Sequence, residues 1–346
     1  MYSKLRSLIF KLDPENAHDL AIKSLKFNIF KNKKNIKSSL LQTKIFGKTI
    51  PNPIGLAAGF DKDAEIYNGI FNLGFGFVEV GTITPNGQYG NPKPRVFRLE
   101  EDEALINRLG FNNSGSVKVR ERIISNSPKG LFGINIGPNK NSNDRIKDYL
   151  IGIQKFYDLA DYLTINISSP NTENLRTLHK ENELDKLLSK INEEKEKLNT
   201  KTPLVLKISP DIKDENIADI ANLTNKYNID ALIISNTTDK NRESLININK
   251  LEKGGLSGKP LEEQSNKLIN KFYKILDKRI KIIGVGGIDS GNSVYKKFIN
   301  GASLVQLYTG LVYKGPNIVN QISEELINIL NNKKIKNISE IVGLEK

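Results

Sequence analysis

Eight short apolar, β-branched runs, each followed by a longer amphipathic stretch, constrain this chain more than any other feature. They read "NPIGLAAG", "FGFVEVGT", "LFGINIG", "DYLTINIS", "PLVLKIS", "DALIISN", "KIIGVGG" and "SLVQLY", and all lie beyond residue 50. Strands that alternate with helices build parallel sheets, because a crossover helix has to return the chain to the same end. Eight such units over nearly 300 residues predict a (β/α)8 barrel, with a doubly wound open sheet as the alternative. The stretch between residues 84 and 111 is too long for a plain strand–helix loop, and its "PRVFRL" predicts a small extra strand over the barrel mouth.

The first 40 residues follow a different rhythm. Leu5, Leu8, Ile9 and Leu12 fall at i, i+3, i+4 and i+7, one face of a helix. In "DPEN", Asp13 suits an N-cap and Pro14 the first helical position. Ala17, Leu20, Ala21 and Leu25 continue a second stripe, and "KNKKNIKSS" (31–39) reads as a linker. We therefore divide the chain into a helical extension, 1–40, and a barrel, 41–346. The extension holds nine Lys or Arg against three acids, in a chain of net charge +13. A basic arm suits an anionic surface, nucleic acid or lipid.

Composition closes several routes. There is no Cys, which rules out disulfides, thiolate zinc sites, iron–sulfur ligation and a cysteine nucleophile. Two His, His18 and His179, make a histidine-rich metal site a poor expectation, and no metal is expected. No apolar run approaches 18 residues, and the N-terminal run Leu8-Ile9-Phe10 is too short for a signal peptide, so a cytoplasmic protein is expected.

Barrels of this type build their active sites at the carboxyl ends of the strands. Here those ends read Ala58-Gly59, Thr82, Asn135, Asn166, Lys207, Ser235-Asn236, Gly286-Gly287 and Tyr308-Thr309, every one small or polar. Strand alternation turns Leu163, Ile165 and Ile167 toward the helices and Thr164, Asn166 and Ser168 inward; by the same reading Asn135 and Lys207 point in. Taken singly, each could be a satisfied core group or a turn cap. Together they define a site. An inward ammonium needs an anion: a cofactor that becomes anionic, or a structural pairing with Glu79, whose own partner the sequence leaves open. "GVGGIDSG" (284–291) and "YTG" (308–310) occupy the usual phosphate position after strands 7 and 8, and "GGLSGKP" (254–260) adds a third glycine-rich loop. These loops predict a phosphorylated cofactor or substrate.

The segments "LAAGFDKD", "GTITP", "NPKPRVFRL", "INRLGFNN", "GINIG", "NISSPNTENLR", "GGLSGKPL", "IIGVGGIDS" and "GASLVQLYTG" resemble, in order and spacing, the dihydroorotate dehydrogenases, specifically the membrane-associated, quinone-using class 2 enzymes. The resemblance covers nearly the whole chain. It implies an FMN-dependent barrel that oxidises dihydroorotate to orotate in pyrimidine synthesis and passes electrons to ubiquinone or menaquinone. FMN would be bound by Ala58, Gly59, Phe60, Asp61, Lys62, Thr82, Asn135, Asn166, Lys207, Ser235, Gly258, Gly287, Tyr308 and Thr309. Substrate would meet Lys62, Asn107, Arg108, Leu109, Gly110, Phe111, Asn166, Asn171, Asn236 and Thr237. Ser235 and Thr309 depart from the family's commoner Thr and Ser, but each keeps a hydroxyl.

By the same resemblance Ser169 is the general base, at the place where class 1 relatives carry a cysteine. Thr172 and the Phe111 backbone resemble a relay to water, and His18, Arg95 and Tyr308 are candidates for the quinone side, although His18 could equally be a helix-surface residue. The extension would hold the protein on the cytoplasmic side of the cell membrane, with no nucleic-acid partner. Two rivals remain: another flavin barrel, such as a tRNA dihydrouridine synthase, which resembles a cysteine-based acid missing here, and a non-catalytic nucleic-acid-binding barrel, which would leave the inward lysine and glycine loops without purpose.

Overall fold

A computed structural model describes residues 2–27, 35–172 and 175–345. Eight parallel strands close into a barrel in chain order: β1 Ile54–Leu56, β2 Phe77–Ile83, β3 Leu131–Ile136, β4 Tyr162–Asn166, β5 Leu204–Ile208, β6 Ala231–Ile234, β7 Lys281–Val285 and β8 Leu304–Leu307. Closure is completed by β8 against β1, with Val305 opposite Ile54 and Leu307 opposite Leu56. The open-sheet alternative is thereby excluded.

Alternation along each strand divides the apolar residues into two populations. Leu163, Ile165, Leu204, Leu206, Ile134 and Ile136 face the surrounding helices and form the main core with them. The inward-facing Phe77, Leu131, Tyr162, Val205, Ile233, Ile283 and Leu304 fill the amino-terminal half of the barrel. Beneath them a hairpin, Thr43–Ile45 paired with Lys48–Ile50, adds Ile45, Phe46 and Ile50 to the same cluster. Gly133 in β3 is part of this fit: a Cβ there would stand 2.1 Å from the Tyr162 ring, so glycine is what lets the tyrosine lie inside the barrel.

The mouth carries the predicted extra strand and more. Val96–Leu99 pairs antiparallel with Ala104–Asn107, which pairs in turn with Gly255–Gly258, a three-stranded sheet. Four of the seven residues of the third glycine-rich loop expected at 254–260 are therefore a strand; its glycine content hid a regular backbone ladder.

Helices α1 (Tyr2–Ile9) and α2 (Pro14–Lys26) precede the barrel. Asp13 caps α2 as its sequence predicts, its carboxylate accepting the Glu15 and Asn16 amides at 2.9 and 3.2 Å. The α1 stripe is displaced from expectation: the helix stops at Ile9, and Leu5, Leu8 and Leu12 are exposed. On α2, Ala17 and Leu25 are buried while Leu20 is exposed. Polar latches hold this arm to the barrel. The Tyr2 hydroxyl donates to the Val312 carbonyl at 2.6 Å, Arg98 reaches the carbonyls of Phe10 and Leu12, and Glu15 takes Arg95 through both its oxygens at 3.0–3.1 Å. Of the linker expected at 31–39, residues 31–34 lie outside the described residues, and 35–38 carry no regular structure.

Candidate active site

The carboxyl ends of the strands surround a cleft of about 1350 Å³, part of it open to solvent. Of the residues named from sequence, Ala58, Gly59, Lys62, Thr82, Asn107, Leu109, Gly110, Phe111, Asn166, Ser169, Asn171, Lys207, Ser235, Asn236, Thr237, Gly258, Gly287, Tyr308 and Thr309 all line it. Four stand elsewhere. Phe60 packs its ring between His18 and Tyr308, at 4.9 and 5.5 Å. Asp61 turns away to accept the Glu65 and Ile66 amides at 2.7 and 2.9 Å, and burial pushes its carboxyl up to about 6. Asn135 lies one layer below the floor of the cleft. Arg108 points out of the mouth to Glu252, at 2.7 Å.

That lower layer answers what Glu79 is for. It is completely buried and accepts four hydrogen bonds: from Asn135 Nδ2 at 2.8 Å, Gln306 Nε2 at 2.9 Å, and the hydroxyls of Tyr162 and Thr164 at 3.1 Å each. Donors from three other strands thus satisfy a carboxylate that would otherwise be costly inside the barrel. From Asn135 the network climbs. Thr82 Oγ1 donates to Asn135 Oδ1 at 2.6 Å, and Asn166 Nδ2 donates to Thr82 Oγ1 and Asn135 Oδ1 at 2.9 and 3.1 Å. Ser168 Oγ donates to Asn166 Oδ1 at 2.8 Å, and Asn236 Nδ2 donates to Ser168 Oγ at 2.8 Å. One continuous hydrogen-bonded chain joins the buried carboxylate to the rim. Networks of this kind fix side-chain orientation, since each member has one arrangement that satisfies its neighbours.

Several polar groups facing the cleft lack a partner among the described residues, Asn112 Oδ1 as well as Lys207 Nζ and Gln306 Oε1. Lys207 Nζ makes no hydrogen bond or ion pair among the described residues; burial lowers its pKa, with only the field of Glu79 opposing. It is therefore not in a contact pair with Glu79, the structural alternative allowed by the sequence. Gln306 spends its amide on Glu79 and leaves Oε1 buried without a partner. Sequence reading passed over Gln306, although alternation signals it: Leu304 points in, Val305 and Leu307 point out, so Gln306 points in. An unpaired inward cation and an orphaned acceptor are what a polar ligand seated here would complete.

"NISSPNT" forms the rim above this layer. Ser169 is 6% exposed, and its hydroxyl accepts the Asn171 amide at 3.2 Å. Thr172 is also buried. Pro170 confines Ser169 to an extended backbone. Arg176 clamps the segment, donating from Nε to the Ser168 carbonyl at 3.1 Å and from Nη2 to the Thr237 carbonyl at 2.9 Å, with Asp211 and Asp239 beside it at 3.0 and 3.1 Å. Opposite, Asn171 Nδ2 donates to the Asn107 carbonyl at 3.0 Å, linking the loop to the three-stranded sheet. The 108–111 run is held in turn by Asn91, which donates to the Arg108 carbonyl, and by Gln88, which donates to those of Gly110 and Phe111.

The glycine loop after β7 has the shape of an anion cradle. Gly287 has φ +73°, and a Cβ there would lie 2.4–2.8 Å from Glu262, so no other residue brings backbone amides so close to the adjoining helix. Lys62 faces the cleft from the opposite side; burial holds its pKa below the usual lysine range against the pull of Glu15 and Asp63. Arg95, a quinone-side candidate, is committed to Glu15 and to the carbonyls of Tyr89 and Asn91.

A closed parallel barrel with a polar, cation-bearing mouth and a phosphate-shaped glycine loop belongs to the enzyme class of (β/α)8 barrels. Comparison with known proteins narrows this. Residues 40–330 match the family described as dihydroorotate dehydrogenase. The chain is 47% identical to a dihydroorotate dehydrogenase (quinone) of Bartonella tribocorum over 340 residues, 97% of this chain and 94% of the relative. It is 43% identical to the protein of that name from Rhodospirillum rubrum, over 98% and 93% of the two chains. Among solved structures it is similar to DHODH of Eimeria tenella in complex with ferulenol, with a TM-score of 0.92 and 40% identity over 96% of each chain. The ligand-free structure of DHODH from that organism gives 0.93 and 39% over 96% of this chain and 99% of the other. The chain belongs to the dihydroorotate dehydrogenase family.

Proposed function

We propose that the mouth of this barrel binds FMN and dihydroorotate together, with Ser169 as the base. The chain is an oxidoreductase acting on a CH–CH bond: it oxidises dihydroorotate to orotate in pyrimidine biosynthesis, with a quinone as electron acceptor. Enzymes of the family are flavoproteins. The observation that carries the FMN reading is the pairing of leftovers described above, Lys207 Nζ and Gln306 Oε1, beneath a cleft whose far wall is the Gly287 cradle. Bound FMN would supply the hydride acceptor for substrate C6 and pass the two electrons on to quinone.

The chain's own residues do the rest. Asn166, Lys207, Thr82 and Gln306 would hold the ring system, and Gly258, Gly287 and Thr309 the phosphate end. Lys207 places a cation where negative charge accumulates during reduction, in surroundings too dry to screen it. Asn107, Asn171 and Asn236 offer amide edges that match those of a pyrimidine, and Lys62 offers a cation for its carboxylate. Ser169 removes the C5 proton. A serine hydroxyl is a poor base in water, so burial and an exit for the proton are required, and Thr172 with the Phe111 backbone provides that exit.

The arm, residues 1–40, would be the membrane and quinone side of a two-part chain, with the barrel as 41–346. Leu8, Leu20 and Phe27 are 62%, 48% and 78% exposed, an apolar surface that a lipid interface would cover. No described helix is long and apolar enough to cross a membrane, so attachment would be peripheral, at the cytoplasmic face. His18, Phe60 and Tyr308 form a run of rings from α2 to the wall of the cleft, a route for ubiquinone or menaquinone. His18 is half-buried with its ring edge-on to Phe60 at 4.9 Å, and burial and the nearby Lys62 charge push its pKa down to about 3, which keeps it neutral.

The test is anaerobic. Purified full-length protein should be yellow, and dihydroorotate should bleach it without oxygen. A flavin spectrum that dihydroorotate leaves unchanged would refute the assignment.

A further inference from the structure

Lys297 is a fully buried charge that none of these steps uses. It sits on the helix Gly291–Ile299, with its side chain against the outer side of β7, where Cδ lies 3.0 Å from the place a Cβ on Gly284 would take. Nζ donates to the Glu262 carbonyl oxygen at 3.2 Å and to Asn266 Oδ1 at 2.7 Å. Neither acceptor is charged. The Glu262 carboxylate, whose field reaches Lys297, is taken at 2.9 Å by Lys296. An ammonium buried on two neutral acceptors is unfavourable unless something anionic compensates it, and burial accordingly pushes this one down to about 7.

Both acceptors lie in the first five residues of one helix, Glu262–Ile275. Its first residue is also the wall of the anion cradle: a Cβ on Gly287 would meet the backbone nitrogen of Glu262 at 2.8 Å and its Cα at 2.6 Å. No side chain caps that helix start. The acids of its first turn are already neutralised, Glu262 by Lys296 and Glu263 by Lys267 at 2.6 Å. Lys297 is thus a cation set behind the glycine loop, tied to the element that shapes it and left without a counter-charge.

We infer that Lys297 is a positioning residue for the phosphate end of the cofactor site: its buried ammonium fastens the start of the helix Glu262–Ile275 against the Gly286–Gly287 loop and biases the site toward a phosphorylated flavin over an unphosphorylated one. The inference rests on the FMN reading above. The dianionic phosphate is the missing counter-charge, and its binding and the lysine's ionisation support each other. A lysine serving only as a structural tie would stabilise the fold without distinguishing the two flavins.

The experiment compares the affinities of FMN and riboflavin for flavin-free full-length protein by quenching of flavin fluorescence. Lys297→Met removes the charge and keeps most of the volume. Asn266→Asp leaves the lysine in place but gives it an acid partner, which protects folding if the methionine variant is unstable. Each variant should weaken FMN about 10-fold, the size expected of one charge acting across a few side chains at an effective dielectric of about 20. Riboflavin affinity should stay near the wild-type value, so the FMN-to-riboflavin ratio falls. If either variant keeps the wild-type FMN-to-riboflavin ratio, whatever its thermal stability, Lys297 is a structural tie and the inference is overturned. If the wild-type protein binds neither flavin, the cofactor reading fails and takes this inference with it.

Discussion

The mouth of the barrel and the N-terminal arm are built as inverses of each other. At the mouth the polar side chains point inward, from Glu79 up to Asn236, while the apolar residues of the same strands point out into the helices. On the arm polar residues, Tyr2, Arg6 and Glu15 among them, make inward contacts beside the buried Ala17 and Leu25, and Leu5, Leu8, Leu12, Leu20 and Phe27 face outward. A polar group inside a barrel is costly until its partners are supplied, which is why most of the mouth is one connected network and why the two groups left over at its floor, Lys207 Nζ and Gln306 Oε1, point to a ligand. An apolar group outside persists only if something other than water covers it for part of its working life. The first arrangement binds a polar ligand and the second an apolar surface, and the family's chemistry needs both.

Removing the arm should separate the two halves most sharply. Deletion of residues 1–38 is expected to abolish vesicle co-sedimentation and quinone reduction while dihydroorotate still bleaches the flavin. A truncated enzyme that reduces a long-tailed quinone in vesicles at the full-length rate would show that the arm is not the quinone entrance. Within the mouth, Ser169→Ala should bind flavin and orotate normally and slow anaerobic flavin reduction by about 10²–10⁴-fold, the range of a general base; stopped-flow reduction at the wild-type rate would remove Ser169 from that role.

Lys207→Ala should follow, with flavin retention or reduction impaired by about 10²–10³-fold, as for loss of one preorganised charge. Lys207→Arg should restore only part of this, because the wider guanidinium has to enter the same slot. Full flavin content and rate in Lys207→Ala would contradict the assignment. The smallest effect belongs to the arm's outer face. Leu8→Ser should change thermal stability by no more than about 0.5 kcal/mol, because the side chain is exposed, yet weaken vesicle binding measurably, since a buried leucine contributes about 1.5–3 kcal/mol. A large loss of stability in water would mean that Leu8 packs on protein and not on lipid.

Much of this molecule is legible in its sequence, and the illegible parts have physical reasons. The barrel is readable because strand alternation is local: Lys207 and Asn166 point inward simply because Leu206 and Ile165 point outward. Glu79 was unreadable because its four donors come from positions 56 to 227 residues away, and no local pattern encodes such a meeting. The strand Gly255–Gly258 reads as a loop from sequence because glycine carries no side-chain period, and only its pairing partner at Ala104–Asn107 reveals it. The stripe Leu5, Leu8, Ile9 and Leu12 outruns the helix, which ends at Ile9, and its apolar side is exposed, because periodicity identifies a face without saying where the helix stops or what it faces.

The apolar half of the barrel has a consequence for traffic. With Phe77, Tyr162, Ile283 and their neighbours packed above Ile45, Phe46 and Ile50, the stem is stoppered, and the vessel has one open end. Substrate, product and electron acceptor can therefore reach the site only from the carboxyl end of the strands, the acceptor along its α2 side. A molecule lodged on the α2 side therefore stops reoxidation and leaves substrate entry open, and the hairpin at the far end, distant from any reacting atom, is what denies either exchange a second door.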